Sequence, residues 1–82
     1  MSLEKIRDDI DKLDRKLVEL LRARMDLAIK SKKYKKEIED LDRERQVLNN
    51  LKLLAQKYNL DSNYIMSIYQ LIFEEGKKQQ KG

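Results

Sequence analysis

Eighty-two residues make one domain at most, and a lone chain of this size buries only a modest part of its surface, which points early to a partner subunit. Without cysteine or histidine the chain has no disulfide framework, no thiolate or imidazole metal site and not the commonest general base. A net charge of +4, with 15 acidic residues interspersed among 19 basic ones, is too mild and too mixed for a nucleic-acid binder and suits a small anionic ligand.

No proline and only two glycines, Gly76 and Gly82, in a chain rich in Leu, Ile, Lys, Glu, Arg and Gln predict an all-α fold. From Leu3 onward apolar residues alternate at spacings of three and four: Leu3, Ile6, Ile10, Leu13, Leu17, Leu20, then Leu27, Tyr34, Ile38 and Leu41. This heptad seam predicts one long helix packed along its length against another, with no stop signal before about Lys36. Such a helix runs about 50 Å, whereas a compact chain of this length has a radius of gyration near ~12 Å. The seam therefore needs a cover, most simply a second copy of the chain. Two of its positions are wrong for a coiled coil, Arg24 and Ser31.

A second helix is predicted from about Leu41 to Tyr58, with Glu44, Val47, Leu48, Leu51, Leu54, Ala55 and Tyr58 facing inward. KYNLDSNY reads as a break, with Asn59 a left-handed C-terminal residue and Asp61 the N-cap of the next helix. A third helix follows from Ser62 to about Gln80, its stripe being Ile65, Ile68, Tyr69, Ile72, Gly76 and Gln79 or Gln80. The tail KKQQKG is expected to fray. No segment reads as a membrane span, and MSLEKIRDDIDKL lacks the apolar core of a signal peptide. The expectation is one helical domain over residues 1–82, soluble and cytoplasmic, with no membrane and no nucleic acid as partner.

Taken singly, the polar residues on inward faces have ordinary explanations. Arg24 fits a register-setting or snorkelling arginine, Arg7 and Lys35 flank the seam as surface ion-pair partners do, Glu44 suits a helix start, and Gln80 is tail. Taken together they point elsewhere. Arg24 and Lys35 are 11 residues apart, close to three turns, which puts them on one helix face about 16 Å apart. Arg7 precedes Arg24 by 17 residues, roughly 25 Å, so it reaches the same site only from an antiparallel partner. Roofed by Arg43, Glu44 and Gln80, such a basic pocket would hold a compact polyanion. With no histidine or cysteine, it offers positioning and electrostatic help more than proton transfer or a nucleophile.

The stretches IRDDIDKLDRKLVELLRARMDLA, DRERQVL and NLDSNYIMSIYQLIFEE carry Arg7, Arg24, Arg43 and Glu44, and Lys35 and Gln80 lie just beyond them. With the Arg7, Arg24 and Lys35 spacing and the D-x-D-R-E-R run, nearly the whole chain resembles the all-helical chorismate mutases. The resemblance implies an intertwined helical homodimer, one long and two shorter helices per protomer, with each active site borrowing a residue from the partner's long helix. It implies the Claisen rearrangement of chorismate to prephenate, toward phenylalanine and tyrosine, with no cofactor, metal or covalent intermediate. Arg24, and Arg7 supplied in trans, would hold the two substrate carboxylates, and Lys35 would contact a carboxylate and the ether oxygen. Glu44 would accept a hydrogen bond from the substrate hydroxyl, assisted by the backbone near Asp40, with Arg43 adding to the carboxylate and hydroxyl environment. Gln80 would donate to the ether oxygen from the other side.

Two departures stand out against that pattern. Only four residues, 36–39, separate Lys35 from Asp40, whereas well-known bacterial members have a longer linker, often with proline. The first helix is therefore expected either to run on or to turn tightly into the second. Gly76 stands where several members carry a hydroxyl that touches a carboxylate. The alternative class is a non-catalytic helical dimerisation or scaffold module, for which the seam alone would suffice. Such a module has no reason to gather Arg24, Lys35, Glu44 and Gln80 around one volume.

Overall fold

The structure is a computed structural model describing residues 2–81. Three helices, α1 (Leu3–Ser31), α2 (Leu41–Lys57) and α3 (Ser62–Lys81), make up the described chain with one 3-10 turn at Lys32–Tyr34, and no strand occurs among the described residues. The all-α expectation holds. None of these helices is long and apolar enough to cross a membrane.

Helix α1 opens on Ser2, whose hydroxyl accepts from the Lys5 amide at 3.1 Å, satisfying one of the unpaired donors of the first turn. Its 29 residues span about 44 Å, and the molecule measures 52 × 27 × 15 Å with a radius of gyration of 15.5 Å. That exceeds the compact value of ~12 Å because one helix overhangs the rest. Helix α3 packs against both α1 and α2, yet α1 becomes half-buried as a run only from Arg24 onward. Before that, residues 2–23 are exposed except for Asp9. Seam residues Leu13, Leu17 and Leu20 are 58%, 58% and 66% exposed. An apolar row of that length facing water is far more than scattered surface leucines.

The long helix stops earlier than the apolar pattern predicts. The Ser31 hydroxyl donates to the Ala28 carbonyl at 2.6 Å in the last turn of α1. The Lys32 amide turns to Ile29 and Lys30, the chain tightens into the 3-10 turn, and Lys35 is extended at φ −119°, ψ 143°. Thus Tyr34, Ile38 and Leu41 do not continue the α1 seam. The tight turn, the second of the two possibilities for the short linker, is the one adopted.

Helix α2 starts at the Asp40 cap, whose Oδ1 accepts from the Arg43 amide at 3.0 Å. It ends in a Schellman arrangement: the Leu60 amide reaches Ala55 at 2.8 Å and the Asn59 amide reaches Gln56 at 3.2 Å. Asn59 supplies the required left-handed residue at φ 54°, and Asp61 Oδ1 accepts from the Asn63 amide at 2.8 Å at the start of α3. The break thus forms at the expected residues.

The buried apolar residues are few: Leu51 and Ala55 from α2 and Phe73 from α3. Phe73 is missing from the predicted α3 stripe, while Ile68, assigned to it, is 37% exposed. Expected fraying of the tail is also corrected as far as Lys81. Phe73, Gly76 and Gln80 recur at inward spacing and are all buried, so α3 keeps its last turn. Gly82 lies outside the described residues.

Candidate active site

A cavity of about 310 Å³ opens where the end of α1, the connection to α2, the first turns of α2 and the last turns of α3 meet. Volumes of this order suit a small organic ligand. Its polar lining comprises Arg24, Ser31, Lys35, Asp40, Arg43, Glu44, Lys77 and Gln80, over an apolar floor that includes Val47, Ile72 and Phe73. Four cationic side chains, Arg24, Lys35, Arg43 and Lys77, face two carboxylates, Asp40 and Glu44. The excess of positive charge favours an anionic guest.

Arg24 is seated against two aromatic rings. Its guanidinium carbon lies 5.6 Å from the Tyr69 ring centroid and 5.7 Å from that of Phe73. The two rings meet edge to face at 6.1 Å and 68°. Each ring face attracts the cation, and together they hold the guanidinium plane at the cavity wall, where its fork can meet a carboxylate. An arginine in an apolar seam is here a placed residue with an aromatic seat.

Lys35 reaches the same cavity by a different route from the one predicted. It does not share a helix face with Arg24, since α1 has already ended; the extended backbone after the 3-10 turn carries it there. Its Nζ donates to the Ile38 carbonyl at 3.2 Å, folding the ammonium back over the short connection. Asp40 lines the cavity while spending one carboxylate oxygen on the α2 cap. The Arg43 side chain is exposed at the rim and donates from Nη1 to Gln46 Oε1 at 2.6 Å.

Glu44 sits one turn into α2 with its side chain 19% exposed, and its Oε2 is 3.3 Å from Lys77 Nζ. Lys77 also donates to Glu39 Oε1 at 3.2 Å. The hydrogen bond that Lys77 donates to Glu39 chiefly, with burial opposing and Glu44 adding, raises its pKa above the ordinary value of 10.5. Sequence reasoning left Lys77 in the low-complexity tail. The available signal was its spacing, four residues after Phe73 and three before Gln80.

Gln80 is 5% exposed, and its Oε1 has no hydrogen-bond partner among the described residues. A buried amide oxygen left unpaired in a cavity wall is costly and marks a place where a guest's donor or a water belongs. One turn earlier Gly76 is buried, and a Cβ built on it meets no atom within 4 Å. The missing side chain enlarges the cavity. Arg7 lies on the exposed early turns of α1, outside this cavity. Among the described residues no cluster of three or more acidic, cysteine or histidine side chains is arranged to hold a metal ion.

Residues 6–81 match the family model described as chorismate mutase type II. The chain is 43% identical over 84 aligned positions to the bifunctional chorismate mutase/prephenate dehydratase of Buchnera aphidicola subsp. Acyrthosiphon pisum, covering 98% of this chain and 22% of that protein. The bifunctional chorismate mutase/prephenate dehydratase of Escherichia coli K12 is 39% identical over 74 positions, 85% of this chain and 19% of the relative. The chorismate mutase of Methanocaldococcus jannaschii is 31% identical over 84 positions, covering 98% of this chain and 85% of the relative. The chain thus spans about a fifth of the length of the bifunctional relatives it matches.

Proposed function

The chain belongs to the chorismate mutase type II family, and from that premise we propose that it converts chorismate to prephenate. The observation that carries the reading is the convergence of Arg24, Lys35, Glu44 and Gln80, from all three helices and the connection, on one cavity.

Chorismate carries two carboxylates, a ring hydroxyl and an enol ether, and it rearranges only from a compact conformer in which the bond-forming carbons approach. Arg24 clamps one carboxylate through its fork, and Arg7 of a second copy clamps the other. Fixing both ends turns a rare conformer into the bound one. Lys35 serves a carboxylate and the ether oxygen, and Arg43 supports the rim. The Glu44 oxygen not taken by Lys77 accepts the ring hydroxyl, with Asp40 holding the helix start in place.

As the carbon–oxygen bond breaks and the carbon–carbon bond forms, negative charge grows on the ether oxygen. Lys35 and the Gln80 amide donate there, so they stabilise the transition state more than the ground state. The rearrangement is intramolecular and leaves no proton to move, which matches a site without histidine or cysteine.

The proposed working unit is a homodimer of single helical domains. Burial of the exposed α1 seam supports it, as does the position of Arg7, about 25 Å along the helix from Arg24. A non-catalytic dimerisation module would explain the seam but not the cations gathered at the cavity. The test is turnover in Arg24→Ala and Lys35→Ala, each expected to lose on the order of 10²-fold or more in kcat/KM with helical circular dichroism unchanged. Wild-type-like turnover in either variant refutes the site.

A further inference from the structure

Among the described residues, side-chain hydrogen bonds join positions at most four apart, with one exception. That exception is Lys77 Nζ to Glu39 Oε1, across 38 positions. The same ammonium pairs with Glu44. Glu39 is the last residue of the connection, directly before the Asp40 cap, and Glu44 is one turn into α2. Lys77 therefore fastens both the connection and α2 to α3 at the edge of the cavity.

Shelter from solvent makes the tie to Glu44 stronger than a surface pair. The side chains of Lys77 and Glu44 are 25% and 19% exposed, against 57% and 48% for the Lys5–Asp9 pair; Glu39 is 58% exposed, so its bond to Lys77 is the weaker of the two ties. Exposed pairs contribute little because water screens them; sheltered ones are screened less. Charge geometry matters as well. Glu44 shares its cavity with Arg24 and Lys35 from α1 and the connection, with Arg43 from its own helix and with the Asp40 cap. Without a dedicated partner its carboxylate is free to swing onto Arg24 or Lys35, the cations that the substrate needs. Lys77 engages Oε2 and leaves Oε1 for a guest.

We propose that Lys77 is a positioning residue of this site, aiming Glu44 into the cavity and pinning the short connection so that Lys35 is presented. The kinetic consequence rests on the chorismate reading; the structural tie does not. Between the 3-10 turn and the Asp40 cap the connection has no turn glycine or proline, so an external tie supplies the order that its composition lacks.

The test uses the full chain with Lys77→Met, Lys77→Arg and Glu39→Gln, and Lys78→Met as a control on the exposed face of α3. Backbone ¹⁵N order parameters are measured without ligand, and chorismate kinetics are measured separately. In the wild type residues 36–39 give values of about 0.85; in Lys77→Met they fall toward about 0.6 or below while the helices are unchanged. A misplaced Glu44 and Lys35 lower kcat by about 10- to 100-fold, more than they raise KM. Lys77→Arg keeps both readouts near wild type, Glu39→Gln loosens the connection and lowers kcat less than Lys77→Met because Glu44 keeps its partner, and Lys78→Met behaves as wild type.

Unchanged order parameters in Lys77→Met overturn the tie. A rise in KM alone, with kcat and order kept, overturns it too, since that is the signature of a direct substrate ligand. An inactive wild-type protein refutes the chorismate reading, and the order parameters then decide the tie alone.

Discussion

Replacing Gly76 by alanine should stabilise the protein, although the residue is buried and lines the cavity. Glycine in the interior of α3 is disfavoured relative to alanine by about 0.5–1 kcal/mol, because the unfolded chain loses more freedom on folding. A buried glycine usually resists replacement because a methyl would strike a neighbour. At Gly76 the built Cβ meets nothing within 4 Å, so no overpacking offsets the gain. With no atoms to touch, the methyl gains no packing either, and the whole effect is the backbone term. For a domain of this size 1 kcal/mol moves the melting temperature by about 4–8 °C, so the expected rise is about 2–8 °C. Thermal denaturation of both proteins at one concentration measures it, since an associating chain melts in a concentration-dependent way. A Gly76→Ala protein less stable than the wild type would show that the space beside Gly76 is closed, by a second copy or by collapse of the cavity. Gly76→Ser extends the same test to function: its hydroxyl is expected to lower KM for chorismate severalfold with little change in kcat, as uniform binding does.

Further outcomes follow from other residues. Arg24→Lys keeps the charge but loses the planar fork and much of the contact with Tyr69 and Phe73, so kcat/KM falls about tenfold or more, read by steady-state kinetics. Mixing Arg7→Ala with Arg24→Ala subunits rebuilds one intact site in each mixed dimer, so two nearly inactive proteins recover about a quarter of wild-type turnover if subunits exchange at random. No recovery after verified exchange would contradict the supply of Arg7 in trans. Lys77 has its folded pKa raised above 10.5, so its stabilisation is full below that pH and is lost as pH rises through the folded value. Denaturant unfolding should therefore show wild type and Lys77→Met differing most below pH 10.5 and converging above it. Gln80 cannot titrate, so turnover should not fall sharply between mildly acidic and neutral pH on its account.

The legible parts of this molecule were those written in local chemistry. The α2 to α3 break was readable because Asn59 and Asp61 each meet a specific local demand, a left-handed residue and a cap. Arg24, Glu44 and Gln80 were readable because a polar residue on an apolar stripe breaks periodicity, and all three line one cavity.

The end of α1 was harder to foresee. Ser31 was visible as a defect in the seam, but whether its hydroxyl bonds outward or back onto Ala28 is a rotamer choice that no spacing encodes. The helix ends at Ser31, so Lys35 lies off it and still lines the site. Phe73 and Lys77 were missed because they flank the stripe of Tyr69, Ile72, Gly76 and Gln80, and the last turns of α3, packed against both α1 and α2, cover a wider face than one stripe. Asp40 had been expected beside the substrate. It lines the cavity and also caps α2, so Asp40→Ala should cost about 1 kcal/mol of stability in denaturant unfolding, apart from any loss of activity.

The most direct test is the ultraviolet absorbance of chorismate incubated with the purified wild-type protein and no added cofactor. A protein-dependent decay, saturable in chorismate, with prephenate as the product is the expected result. A flat trace at micromolar protein would contradict the proposed reaction and leave the exposed α1 seam and the basic cavity to a binding role.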